Sequence, residues 1–84
     1  MYFVYIIQSI KTKEIYIGYT TDLRGRLELH NNRGSLSTKS AVPWILIYSE
    51  IYKSKKDAKL REHRLKYYGR ALAQLKRRLK YSLL

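Results

Sequence analysis

Cysteine is absent from this 84-residue chain, so neither a disulfide framework nor a thiolate metal site can be built. Two His residues are too few for a polyhistidine zinc site. With one Pro and four Gly there is no Pro-rich linker or low-complexity stretch, and no internal repeat is visible. Long apolar runs are missing too. The longest, Tyr2 to Ile7, is far short of a membrane span or the core of a signal peptide. Acidic residues are scarce, 6 against 18 Lys and Arg, which leaves a net charge of +12. Apolar residues still make up 45% of the chain, enough for a folded core. These limits describe one small domain over residues 1–84, expected in the cytoplasm, with a polyanion as its partner and no membrane.

The charge is unevenly placed. Residues 1–52 carry six basic and four acidic side chains; residues 53–84 carry twelve basic ones against Asp57 and Glu62 alone. The net charges are +2 and +10, a half-buried scaffold followed by a charged surface.

Tyr2 to Ser9 is rich in aromatic and β-branched residues at both parities, the pattern of a strand covered on both faces. After the polar turn Lys11-Thr12-Lys13, residues Glu14 to Thr20 read as a second strand that returns as a hairpin. Thr21 or Asp22 can cap a helix over Leu23 to Asn31. Gly25 weakens that helix by about 1 kcal/mol relative to Ala. Asn31 to Ala41 is a loop, and Pro43 opens a third strand, Trp44 to Tyr52. Ser54 can cap a helix from Lys55 to Tyr68, ended by Gly69. A basic helix from Arg70 to Tyr81 places Leu72, Leu75, Leu79 and Leu83 on one stripe. The expected class is α+β, a three-stranded, mainly antiparallel sheet flanked by helices in the order β-β-α-β-α-α.

Three groups of residues break their local pattern. Ala58, Glu62, Leu65 and Tyr68 share the one helix face available to pack on the sheet, and Glu62 sits in its middle. An inward carboxylate is costly unless it is paired, here with Arg26 or Arg61, or holds a cation. The chain uses nine Tyr against one Phe. Buried hydroxyls need partners, so Tyr5 and Tyr16 on neighbouring strands suggest a polar pocket, although Tyr also simply suits strands. Gly18, on the face of Tyr16, leaves room for a ligand or a neighbouring helix to approach the backbone. Arg26 and His30 lie four apart on the first helix, where a phosphate could accept from both or where they form a solvated flank.

Val4-Tyr5-Ile6, Tyr16-Ile17-Gly18, Thr20-Thr21-Asp22-Leu23, Arg26-Leu27, His30-Asn31 and Ala58…Leu60…Glu62…Leu65-Lys66 occur in this order. Their spacing resembles the GIY-YIG nuclease superfamily, in particular its small stand-alone members, over essentially residues 2–80. The leading Gly of the first motif is absent, while its Tyr is kept. The resemblance implies a metal-dependent endonuclease that hydrolyses phosphodiester bonds in nucleic acid, DNA in preference to RNA, with structure-selective or weak specificity.

Position by position, Glu62 would be the ligand of a single Mg²⁺ or Mn²⁺. Tyr5 would deprotonate or orient the attacking water, Tyr16 would complete the pocket, and Arg26 would contact the scissile phosphate. His30 would assist as a proton acceptor. Tyr19 replaces a Lys found in repair-nuclease relatives. One hard cation with oxygen ligands suits a chain without Cys, and the planar Arg26 fork suits phosphate oxygens. Lys53, Lys55, Lys56, Lys59, Lys66, Arg70, Lys76, Arg77, Arg78 and Lys80 are the candidate backbone contacts, giving salt-dependent affinity with little sequence preference. The alternative is a nucleic-acid-binding module of the same fold with little turnover. A membrane-surface role for Arg70 to Leu84 leaves the first two-thirds of the chain unexplained.

Overall fold

A computed structural model describes all residues from Met1 to Leu84. The chain forms strands β1 (Tyr2–Ser9) and β2 (Ile15–Thr20), helix α1 (Leu23–Asn31), a 3-10 turn (Lys39–Ala41), strand β3 (Trp44–Tyr52) and helices α2 (Lys55–Tyr67) and α3 (Gly69–Arg78). The sheet order is β2-β1-β3, with both pairings antiparallel. The expected class and element order are those observed.

The first strand is central, and it is buried from Val4 through Ser9 because both faces are covered. Val4 and Ile6 face a core with Ile17, Ala58, Leu65, Leu75 and Leu79, supplied largely by α2 and α3. Tyr5 and Ile7 face the other way, onto Ala41 and Trp44, with Tyr16, Leu23, Leu27 and Val42 packed around them. A strand at a sheet edge would show alternation; this one shows apolar residues at both parities because two layers meet it.

Of the two proposed caps for α1, Asp22 is the one used. Its Oδ1 accepts from the Gly25 N–H at 3.1 Å. A Cβ on Gly25 would lie 2.2 Å from Asp22 Oδ2, so glycine's cost to the helix is offset by room for the cap. At the other end, the Arg33 N–H donates to His30 O at 3.2 Å and the Gly34 N–H to Leu29 O at 2.8 Å. This is a Schellman closure with Arg33 at φ 60° in its left-handed position. The Asn31 amide then accepts from Trp44 N at 2.6 Å and donates to Trp44 O at 2.9 Å, tying α1 to the start of β3.

The C-terminal helices differ from expectation in detail. Gly69 opens α3 rather than ending α2, and Tyr68 serves as the cap between them, its N–H donating to Arg64 O at 2.9 Å. That capping position carries the Tyr68 side chain off the packing face, so it is exposed while Ala58 and Leu65 are buried. Helix α3 stops at Arg78, where the Leu79 N–H is shared between Leu75 O and Lys76 O.

On the α2/α3 side of the sheet, Glu50 is the hub of a polar network. Arg61 donates through Nε at 2.9 Å and Nη2 at 3.1 Å, and the hydroxyls of Tyr48 and Tyr52 donate at 2.6 and 2.5 Å. Burial alone would raise the Glu50 pKa; the four donated bonds outweigh it and hold the carboxyl below its ordinary 4.5. Burial first, and then the bond to Glu50, push the Tyr52 phenol up to about 12.

A group with a depressed folded-state pKa contributes stability above its unfolded pKa and loses it as pH falls through the folded value. Glu50 therefore gives an acid limb that begins near pH 4.5 and deepens below it. Tyr52, with a raised pKa, contributes fully below pH 10.0 and loses that contribution as pH approaches about 12. Thermal melts across pH should show both limbs. Glu50→Ala, which strands Arg61 and two phenols, should cost about 2–3 kcal/mol by denaturant titration. An unchanged midpoint would mean that the network carries no stability.

Candidate active site

Tyr5 sits in the middle of β1, paired with Gly18 of β2, and its side chain is 1% exposed. A Cβ on Gly18 would lie 2.2 Å from Tyr5 Oη. Only glycine leaves space for this ring to cross the neighbouring strand, so the room expected there for a ligand or a helix is taken by Tyr5 itself. Tyr5 Oη is 2.9 Å from His30 Nε2, and His30 Nδ1 is 2.8 Å from Thr38 Oγ1. Thr38 is buried in turn, and its carbonyl accepts from Trp44 Nε1 at 2.9 Å. A chain of hydrogen bonds thus runs from the central strand, through α1, to the loop before β3. The Tyr16 ring closes over it, 5.0 Å from the His30 ring and 6.4 Å from Trp44, both edge-on.

This arrangement corrects the placement of His30. It is neither on a solvated flank nor free to meet a phosphate together with Arg26: it is 0% exposed and both ring nitrogens are engaged. Helical periodicity put Arg26 and His30 on one side of α1, but the loop carrying Thr38 folds over the end bearing His30. Arg26, one turn earlier, is exposed. Burial, followed by the nearby Arg26 charge, lowers the His30 pKa below 6.5, so the ring is neutral at neutral pH.

Burial raises the Tyr5 pKa above 10.0. The Arg26 guanidinium beside it pulls the other way, while Tyr16 and the Glu62 carboxylate add to the rise. Three of the other residues expected at the site, Tyr16, Arg26 and Glu62, therefore lie within electrostatic reach of the Tyr5 hydroxyl. His30 is bonded to it.

Glu62 does not pair with Arg26 or Arg61. Its Oε2 meets Lys66 Nζ at 3.2 Å, one helical turn along α2, while Arg61 is committed to Glu50. Periodicity could place Glu62 on the inward face but not choose among nearby cations. The Lys66 ammonium lies 5.8 Å from the Tyr16 ring centre and Lys59 lies 4.2 Å from that of Tyr19. Tyr19 therefore carries a cation on its ring.

The other candidate contacts, Lys53, Lys55, Lys56, Arg70, Lys76, Arg77, Arg78 and Lys80, are all exposed. Those on α3 belong to the layer on the Val4/Ile6 side of the sheet, opposite the Tyr5 ring. Sequence reasoning missed Thr38 and Trp44. Thr38 lies in an irregular Ser/Thr-rich loop with no periodicity to single it out. Trp44 read only as a strand residue.

No group of three or more His, Asp or Glu side chains converges anywhere in the chain. Among the residues expected at the site, Glu62 alone carries a carboxylate. That donor fits a hard divalent ion such as Mg²⁺, which keeps most of its waters and takes one or two carboxylates together with a substrate phosphate.

The antiparallel sheet carries Tyr5 and Tyr16 on neighbouring strands, Arg26 lies on α1 and Glu62 on α2. The model of the GIY-YIG catalytic domain matches residues 1–74, and the chain belongs to this family. It is 37% identical over 70 residues to the UPF0213 protein SH2523 of Staphylococcus haemolyticus strain JCSC1435, covering 82% of this chain and 84% of that one. Two Staphylococcus aureus UPF0213 proteins, from strain Mu3 and (SAV0488) from strain Mu50, are each 39% identical with the same coverage. No solved structure matches the chain. No helix is long and apolar enough to cross a membrane. A nuclease-type domain implies a nucleic-acid substrate.

The close fit at Gly18 is directly testable. Gly18→Ala should displace the Tyr5 ring, break its bond to His30 and destabilise the fold by about 1–3 kcal/mol. The His30 imidazole resonances in NMR should shift toward those of Tyr5→Phe. A Gly18→Ala protein with native stability and an unmoved His30 signal would contradict the packing described.

Proposed function

We propose that residues 1–84 form one GIY-YIG nuclease domain, basic C-terminal helix included, acting in the cytoplasm as a metal-dependent endonuclease. The substrate is nucleic acid, DNA rather than RNA, cut with structure selectivity or weak sequence specificity. The observation that carries this reading is the convergence of Arg26, Tyr16 and Glu62 on the buried, His30-bonded hydroxyl of Tyr5. A module that only bound nucleic acid would have no need of an inward carboxylate beside that hydroxyl.

Glu62 would hold a single Mg²⁺ or Mn²⁺, which supplies Lewis acidity at the scissile phosphate when bound. Taking up a cation requires Glu62 to exchange its Lys66 partner, and the released ammonium is then available to a phosphate oxygen. Tyr5 is protonated at neutral pH and, with its raised pKa, is a poor acid on its own. Its bond to His30 offers a way round this difficulty. With Nδ1–H donating to Thr38 Oγ1, the neutral His30 Nε2 accepts the Tyr5 proton while Tyr5 Oη accepts one from the attacking water. Arg26, exposed at the rim, offers two parallel donors to the phosphate oxygens as negative charge grows. Tyr16 holds the His30 ring in place and limits access of water to the relay.

The deciding assay incubates the protein with branched, flapped, single-stranded and duplex substrates in Mg²⁺, Mn²⁺ or EDTA. Cleavage should require the metal and fall at least about a hundredfold in Glu62→Ala. Tyr5→Phe, which keeps the ring and loses the hydroxyl, should show a comparable loss with binding intact. Metal-independent cleavage, or full activity in Glu62→Ala, would rule out this mechanism.

A further inference from the structure

A second concentration of positive charge lies in the part of the chain whose net charge is only +2. Lys11, Arg33 and Lys39, with Ser40 and Val42, line a cavity of about 590 Å³ that has no acidic residue in its wall. The three cations come from separate segments: the β1–β2 turn, the end of α1 and the 3-10 turn. The first and third of these segments are tied together. Ser9 Oγ donates to Ala41 O at 2.6 Å, the Ile10 N–H donates to Pro43 O at 3.0 Å, and Lys11 Nζ donates to Ser40 O at 3.4 Å.

Like charges held around one concavity repel, and they are ordinarily spread apart or neutralised by acids. The two ion pairs of the chain, Arg61–Glu50 and Lys66–Glu62, involve none of the three. Arg33 also breaks a local rule. The left-handed position that closes α1 favours Gly or Asn, and the sequence has both, as neighbours on either side. Arg occupies it instead, at a cost of about 1–2 kcal/mol. Rule-breaking of this kind, combined with uncompensated charge, marks a binding surface.

We infer that this cavity binds a backbone phosphate of the nucleic-acid substrate, at a distance from the scissile bond. The inference rests on the proposed nuclease reading. Lys39 directly follows Thr38, the residue that anchors His30, so the cavity belongs to the same layer as the Tyr5 hydroxyl. It gives that layer cations that α3, on the other side of the sheet, does not supply. A strand held here and at Arg26 spans the relay between two fixed points. Backbone contacts of this type set position and register but read no bases.

The test is binding in EDTA, where no metal-dependent cleavage intervenes, followed by fluorescence anisotropy with labelled single-stranded and duplex oligonucleotides. The variant is Lys11→Gln/Arg33→Asn/Lys39→Gln, with Asn chosen because it tolerates the left-handed backbone. Its duplex Kd should rise roughly tenfold or more near 0.1 M salt, and the slope of log K against log salt should become shallower by about 0.9, the value for one lost phosphate contact. Its thermal midpoint at low salt should equal or exceed that of the parent, since repulsion has been removed. If the triple variant folds poorly, Lys11→Gln/Lys39→Gln leaves the helix closure intact and should weaken duplex binding in the same direction by a smaller factor. Unaltered Kd and slope in a folded variant overturn the inference while leaving the nuclease reading standing. A parent chain that binds no nucleic acid overturns both. Inorganic phosphate that raises the parent's midpoint but not the variant's, with oligonucleotide binding unaltered, assigns the cavity to free phosphate and overturns the backbone role.

Discussion

The hydrogen bond between Tyr5 Oη and His30 Nε2, 2.9 Å long and shielded from solvent, joins the two structural layers on which the site depends. A phenol and an imidazole buried together are each costly unless their polar atoms are satisfied. Tyr5 finds its partner only because Gly18 lets its ring cross β2, and His30 finds its second partner only because the 35–41 loop brings in Thr38. Thr38 is itself held by Trp44, and the Trp44 backbone by Asn31, one residue after His30. The circuit closes on itself: β1, α1, the loop and the start of β3 each hold the next. No buried side-chain polar atom in the chain is left without a partner. Removing any member of this ring leaves a buried donor or acceptor stranded, so the rigidity of the fold and the placement of the candidate catalytic hydroxyl have one physical source.

Much of the fold was legible in the sequence because its elements carry strong local signals. Apolar residues at both parities of Tyr2–Ser9 announced a central strand, and Asp22 and Ser54 announced helix starts. The misreadings fall where a residue serves a boundary rather than a period. Gly69 carries the usual mark of a helix end, but here the end and the next beginning share Tyr68, and glycine falls on the far side of the join. Contacts distant in sequence were less visible. The Glu50 network links β3 to α2, and its members look individually like ordinary strand tyrosines and a surface arginine.

For the candidate site, periodicity and motif order named residues that the fold brings near one another, but paired Glu62 with cations it does not meet. Glu62 is turned inward because it shares a face with Ala58 and Leu65, which spacing alone predicts. That Lys66 neutralises it, while Arg61 is drawn to Glu50, depends on which edge of the sheet each side chain reaches, β2 for Lys66 and β3 for Arg61. Sequence holds no record of that choice. His30 shows the converse: its spacing was read correctly, and its environment was set by a loop with no pattern of its own.

The placement of charge also bears on how such a small domain handles a phosphodiester. A carboxylate meant for a divalent cation must not be so tightly paired that metal cannot displace its partner, nor so exposed that water serves equally well. Glu62 meets both conditions. Its side chain is 16% exposed, and its partner Lys66 is a 35% exposed ammonium on the same helix. An i,i+4 pair of this kind is worth only a few tenths of a kcal/mol, so exchanging it for a cation and a phosphate costs little. Glu50 is the contrasting case, fixed by an arginine fork and two phenols. The two half-buried carboxylates of this strongly basic chain thus differ in kind: one is saturated by its neighbours and serves the fold, the other is held loosely enough for its partner to be displaced.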